Sequence, residues 1–133
     1  MISLSTTARG KAFEVWTEGW LRRKLGMDLV HTGGAGDKGI DLLGWWRLPK
    51  SPQRQRPPLE TANFRVIVQC KAESKKLGPR HLRELEGSMH RIAQSSSAET
   101  SPPLGVFASS SPFTSKTVQQ ALTSPMRLLL IQL

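Results

Sequence analysis

The sequence predicts an α/β domain built on a mixed sheet, an antiparallel hairpin joined to parallel strands, in the order α-β-β-β-α-β-α-β. Three observations predict it. The opening segment has helical spacing; the β-branched run Val66-Ile67-Val68 reads as a strand covered on both faces; and strands alternate with helices through the second half, which implies parallel pairing through right-handed crossovers. The 133 residues suffice for one domain around a single core, with no internal repeat and no domain boundary.

From Ser5 to Lys24, Phe13, Trp16, Trp20 and Leu21 recur at spacings of three and four, and Gly26 sits where a C-terminal stop belongs. A short strand follows from Met27 to Thr32, then a glycine-rich turn from Gly33 to Gly39, then a strand from Ile40 to Leu48; together they predict a hairpin. The stretch Pro49 to Thr61 holds Pro49, Pro52, Pro57 and Pro58 with Lys50, Arg54 and Arg56, so it reads as a mobile basic insertion loop. Phe64 to Lys71 is the expected central strand. Pro79 opens a second helix with Leu82, Leu85, Met89 and Ile92 as its apolar stripe, ending at the serines from Ser95 to Ser97. A strand from Leu104 to Ala108, a helix from Thr114 to Thr123 and a strand from Met126 to Ile131 complete the order.

Lysines and arginines number 19 against 10 acids, a net charge of +9. A polyanionic partner is the default, and nucleic acid fits best, although ribosome-associated and membrane-surface proteins share the bias. The single cysteine, Cys70, cannot form an intrachain disulfide and points to a reducing compartment, where it serves as a small buried hydrophobe. The apolar run Leu128 to Ile131 is strand-sized, so no membrane partner is expected. The first thirteen residues carry Arg9 and Lys11 and no acid, but no long arginine-rich amphipathic stretch, so no cleavable presequence is expected.

The chemistry concentrates in Gly39-Ile40-Asp41-Leu42 and Val66-Ile67-Val68-Gln69-Cys70-Lys71. Side chains alternate along a strand, so Gln69 and Lys71 share one face and Cys70 takes the other. An acid, an amide and an ammonium then converge, the parts of a metal-dependent phosphodiesterase. Asp41 is the expected metal ligand; the alternative is a structural aspartate bonding turn amides around Gly36 to Gly39. The Cys70 main-chain carbonyl and the neutral Gln69 oxygen complete the expected oxygen set. Lys71 positions or deprotonates the attacking water or balances transition-state charge, unless it forms only an ion pair with Asp41. Gln69 leaves the site short of negative charge, and Glu14 or Glu18, one helical turn apart, could supply it. Glu14 is preferred over Glu18, and Glu73 is a further acid near the strand end.

Gly34-Ala35-Gly36-Asp37-Lys38-Gly39 matches a dinucleotide fingerprint, but no helical periodicity follows it. The turn, with Lys38, reads instead as a place where a nucleic-acid backbone approaches closely. Lys75, Lys76, Arg80, His81, Arg83 and Arg91 cluster beyond Lys71, either as a solvated face or as phosphate contacts. Trp45 and Trp46 face opposite ways in a strand, one into the core and the other over the sheet or a base. His31 and His90 stand alone in sequence, with no zinc spacing.

Phe13-Glu14 in an opening helix, Gly36-Asp37-Lys38-Gly39-Ile40-Asp41 before a strand and Val68-Gln69-Cys70-Lys71 in the next, with Gly105-Val106-Phe107-Ala108 and Phe113-Thr114 later, resemble in order the motifs of the PD-(D/E)xK nuclease superfamily. The branch is that of Mrr-type restriction endonucleases and archaeal Holliday-junction resolvases. Gln69-x-Lys71 is that branch's variant of Asp/Glu-x-Lys. The continuation Arg83-Glu84-Leu85-Glu86-Gly87 resembles a fungal mitochondrial group linked by name to respiratory growth. The resemblance implies a three-layer restriction-endonuclease-like fold, Asp41, Gln69, Lys71 and Glu14 as the active site, Mg²⁺ or Mn²⁺ as cofactor, a DNA substrate, branched or single-stranded DNA included, a homodimer in many members, and a mitochondrial location.

The resulting expectation is a metal-dependent endodeoxyribonuclease. Two other readings share the charge argument: a nucleic-acid-binding module of the same fold without turnover, kept open by the neutral Gln69, and an RNA-directed organellar factor.

Overall fold

The computed structural model describes residues 5–32, 39–49, 61–95 and 102–133. The elements, in chain order, are α1 (Thr6–Leu25), β1 (Met27–His31), β2 (Leu42–Pro49), β3 (Thr61–Lys71), α2 (Pro79–Ser95), β4 (Leu104–Ser109), α3 (Ser115–Thr123) and β5 (Arg127–Gln132). They form one five-stranded sheet of order β1-β2-β3-β4-β5. The first three strands are antiparallel, and β3, β4 and β5 are parallel. The expected order and mixed sheet are both present, with β3 at the centre.

Helix α1 starts where the Ser5 hydroxyl accepts the Ala8 N–H at 3.1 Å, an N-cap bond that satisfies one of the helix's free donors. It stops at Gly26, whose φ of 72° is left-handed and whose N–H returns to the Arg22 carbonyl at 3.0 Å. The buried face of α1 differs from the expected stripe. Thr17 and Leu21 are fully buried, whereas Trp16 is 55% exposed. The spacing of the aromatic residues therefore marks the helix but not its inner side.

Two apolar clusters sandwich the sheet. On the α1 side lie Leu21, Met27, Leu42, Val66, Val68 and Val106, with Trp20, Leu29, Trp46 and Cys70 packed against them. On the α2 side lie Ile67, Leu77, Leu82, Leu85, Met89 and Phe107, with Ile40, Leu43 and Leu128. Both crossover helices thus cover one face and α1 the other, in three layers. Phe107 meets Phe113 edge to face at 5.6 Å, a favoured aromatic geometry. The Thr117 hydroxyl donates to the Leu77 carbonyl at 2.9 Å, tying α3 to the turn before α2.

Two strand boundaries correct the sequence reading. Strand β3 begins at Thr61 rather than Phe64, because Pro49 pairs with Thr61, Leu48 with Ala62 and Arg47 with Asn63; ladder pairing overrides the weak strand propensity of Ala62 and Asn63. Strand β2 begins at Leu42 rather than Ile40. The expected turn at Gly33 to Gly39, apart from Gly39 itself, and the body of the insertion loop lie outside the described residues. Among the described residues, no helix is long and apolar enough to cross a membrane.

Candidate active site

The delayed start of β2 places the candidate acid. Ile40 and Leu43 pack on the α2 side while Leu42 packs on the α1 side. Strict alternation would put Ile40 and Leu42 together, so the strand slips phase at Asp41. Its backbone stays tied on both sides: Asp41 N–H donates to the Val68 carbonyl at 2.9 Å, and its carbonyl accepts the Thr32 N–H at 3.1 Å. The side chain turns along the sheet, and one carboxylate oxygen accepts the Cys70 N–H at 2.7 Å. Asp41 thus takes the place of the next ladder partner of β3. A residue's N–H and C=O point to the same side of a strand, so the Cys70 carbonyl also faces Asp41.

Glu14, on α1, is the second acid. It stands against Asp41, and burial together with Glu14 pushes the Asp41 carboxyl up to about 6; the Cys70 N–H bond and the Lys71 charge pull the other way. Glu18 instead pairs with Arg22 at 3.1 Å. Burial also pushes the Cys70 thiol up, reinforced by the Asp41 charge, with the Thr17 hydroxyl beside it acting in the opposite sense.

Gln69 does not join the carboxylates. Its side chain is 1% exposed and lies on the α2 side against Gly39, where a Cβ would stand 3.1 Å from the amide nitrogen. Gly39 has φ +88°, so both backbone and space favour glycine there. The acid, amide and ammonium therefore gather around the end of β3, with Gln69 packed against Gly39 on the α2 side. Its Oε1 is buried without a hydrogen-bond partner. Lys71 is half-buried at the strand end. Glu73 lies beyond β3, its carbonyl accepting from the Ser111 hydroxyl.

Of the expected phosphate contacts, Lys75, Lys76, Arg80 and Arg83 are exposed. His81 is half-buried with its Nδ1 inside and unpartnered, and Lys38 lies outside the described residues. Trp46 is the inward tryptophan and donates from Nε1 to the Leu25 carbonyl at 2.6 Å. Trp45 faces the other way beneath the Arg65 guanidinium, 5.1 Å from the ring centre.

Sequence reasoning missed His31, whose Nδ1 lies 3.7 Å from Glu14 Oε2. The signal was present: Met27 and Leu29 alternate toward α1, and the same period carries His31 to that side.

Two carboxylates and a main-chain carbonyl are hard oxygen donors suited to Mg²⁺ or Mn²⁺. The partly buried acid pair, in which burial and then the Glu14 charge raise the Asp41 carboxyl, fits a divalent cation that would offset both. Among the described residues no cluster of three or more His, Cys, Asp or Glu is placed to hold a metal, so the carbonyl is needed to complete the protein's share.

A family model described as Required for respiratory growth protein 7 matches residues 5–63 and 50–133. The Schizosaccharomyces pombe protein named "Uncharacterized protein C824.03c, mitochondrial" is 30% identical over 115 residues, covering 86% of this chain and 40% of that one. "Required for respiratory growth protein 7, mitochondrial" of Vanderwaltozyma polyspora is 30% identical over 119 residues, covering 65% of this chain and 48% of that one. The chain spans less than half the length of these curated relatives. Among solved structures, the DNA modification-dependent restriction endonuclease AspBHI superposes with a TM-score of 0.67 at 17% identity, over 91% of this chain and 28% of that one. A repair endonuclease from Pyrococcus abyssi gives 0.57 at 7%, over 100% and 48%. The MspJI restriction endonuclease, solved with a 27-mer oligonucleotide, gives 0.55 at 11%, over 99% and 32%. These superpositions show a shared restriction-endonuclease-like fold.

Proposed function

The chain belongs to the Required for respiratory growth protein 7 family, and from that premise we propose that it is a metal-dependent endodeoxyribonuclease acting in mitochondrial DNA maintenance. The observation that carries this reading is the Asp41–Glu14 carboxylate pair, fixed at the end of β3 by the Cys70 N–H with the Lys71 charge beside it. The endonuclease neighbours support the reaction class, and the mitochondrial names of both relatives support the compartment.

Asp41, Glu14 and the Cys70 carbonyl would hold Mg²⁺ or Mn²⁺, which supplies Lewis-acid polarisation of a phosphodiester. The Cys70 N–H fixes the rotamer of Asp41 by bonding one carboxylate oxygen, and the Glu14 carboxyl shares a hydrogen bond with the same side chain. His31, with Nδ1 3.7 Å from Glu14 Oε2, steadies Glu14. Lys71 offsets the negative charge that builds on the phosphate as the P–O bond breaks. Lys75, Lys76, Arg80 and Arg83, exposed beyond it, neutralise flanking phosphates and set the strand's register.

The test is a denaturing gel of single-stranded, duplex and branched DNA, with an RNA control, incubated with the chain or its Lys71→Ala variant in Mg²⁺, Mn²⁺ or EDTA. We expect metal-dependent DNA cleavage that disappears in the variant. Full activity of Lys71→Ala, or cleavage of RNA alone, would overturn the reading. The orientation of Gln69 away from the acid pair favours a second reading, a DNA-binding module of the same fold without turnover; binding without cleavage on every substrate would establish it.

A further inference from the structure

Gln69, Lys71, Arg83, Glu84, Gly87 and Arg91, with Gly39, enclose a cleft of about 520 Å³ between the end of β3 and α2. It opens on the α2 side of the β3 end and shares Lys71 with the surroundings of the acid pair. Three features set it apart from a solvated groove.

Its charged lining is mostly cationic. Arg83, Gly87 and Arg91 are four residues apart on α2 and so share a face, with Lys71 opposite and Glu84 as the one acid. Arg91 is held in place by a 2.9 Å bond from its guanidinium to the Ser88 hydroxyl, which in turn donates to the Glu84 carbonyl at 3.1 Å.

Its walls are bare where side chains would be expected. Gly87 sits inside a helix, where glycine is the poorest ordinary residue, and a Cβ there would meet only the Arg91 guanidinium, at 3.9 Å. Helix packing therefore does not demand glycine at that position. What glycine provides is open space between two arginines.

Its floor is an amide, Gln69, 1% exposed and with its buried Oε1 lacking a hydrogen-bond partner. A buried polar atom left unpaired is costly, and a ligand entering the cleft would relieve that cost. Such a lining suits an unpaired nucleotide, small enough to enter where a paired backbone is held on the outside of a duplex, with its phosphate toward Arg83 and Arg91 and a sugar or base polar group toward Gln69. The volume falls within the range of about 300–1,000 Å³ that small-molecule sites span.

We propose that the cleft bounded by Gln69, Arg83, Gly87 and Arg91 receives a single unpaired nucleotide of the substrate strand, so that DNA carrying a single-stranded segment or flap is preferred over blunt duplex. This deepens the proposed nuclease function and rests on that reading for its placement beside the scissile phosphate.

The test is fluorescence anisotropy in EDTA, where no cleavage is required, with labelled single-stranded, blunt duplex and flapped duplex DNA. The wild-type chain should bind flapped and single-stranded DNA at least about tenfold tighter than blunt duplex. Gly87→Leu, which fills the cleft without changing charge, should abolish that preference and leave blunt-duplex affinity unchanged. Gly87→Ala, which fits the space, should keep it. Arg91→Ala should lower flap affinity and reduce the salt slope of flap binding by roughly one phosphate's worth. Thermal melts by circular dichroism verify that each variant folds. Equal affinity for flap and blunt duplex, or a preference unchanged in folded Gly87→Leu, would overturn the proposal. Flap preference without cleavage would retain the cleft and remove the nuclease; cleavage without flap preference would do the reverse.

Discussion

The Asp41 carboxylate accepts the Cys70 N–H at 2.7 Å at the point where the β2 ladder ends. One residue thereby completes the sheet and, in the proposed function, binds the cation. These two duties can be separated by mutation.

Asp41→Asn keeps an oxygen for the Cys70 N–H and removes the partly buried charge, whereas Asp41→Ala leaves that N–H without its partner. We expect both variants to abolish metal-dependent cleavage. Only Asp41→Ala should lose stability, by about 1–3 kcal/mol, the cost of an unsatisfied buried donor. Urea unfolding beside the gel assay checks this; equal stability losses in the two variants would contradict the capping role.

The pH dependence follows from the raised Asp41 carboxyl, ordinarily 3.8 and here about 6. Between those values the folded chain binds more protons than the unfolded chain, so stability falls as pH rises from about 4 to about 6 and then levels for this group. A cation needs the ionised carboxylates. Mn²⁺ should therefore raise Tm at pH 7.5 and have little effect at pH 5, and Asp41→Asn should remove the difference. Scanning fluorimetry with and without Mn²⁺ at the two pH values decides it.

Gly44 pairs with Leu29 in the β1–β2 ladder, and a Cβ at Gly44 would run into the Asp28 carbonyl, a backbone atom with no rotamer in which to retreat. Gly44→Ala should destabilise the fold by about 1–3 kcal/mol, the range for overpacking, and toward its upper end. Exchange of the Val30 and His31 amides should quicken with it. Wild-type stability would show that β1 shifts freely on β2.

Much of this architecture was readable from local chemistry. Ser5 and Gly26 mark the ends of α1, Pro79 opens α2, and the Val66 to Val68 run identifies the central strand, because caps and β-branching act over a few residues. Glu14 stands against Asp41, while Glu18 turns to Arg22. What escaped depended on partners distant in sequence. The early start of β3 is imposed by β2, the exposure of Trp16 by where α1 docks, and the turn of the Asp41 side chain toward the Cys70 N–H by a phase slip in its own strand. Strand alternation predicts which side chains share a face; it cannot predict where the alternation breaks.

Pro49 pairs with Thr61 at the end of the β2–β3 ladder opposite Asp41, eight residues or roughly 26 Å of strand away. Length and composition between residues 50 and 60 can thus drift over evolutionary time without displacing the carboxylates. The hairpin acts as a spacer, insulating the chemistry at one end from sequence experiments at the other.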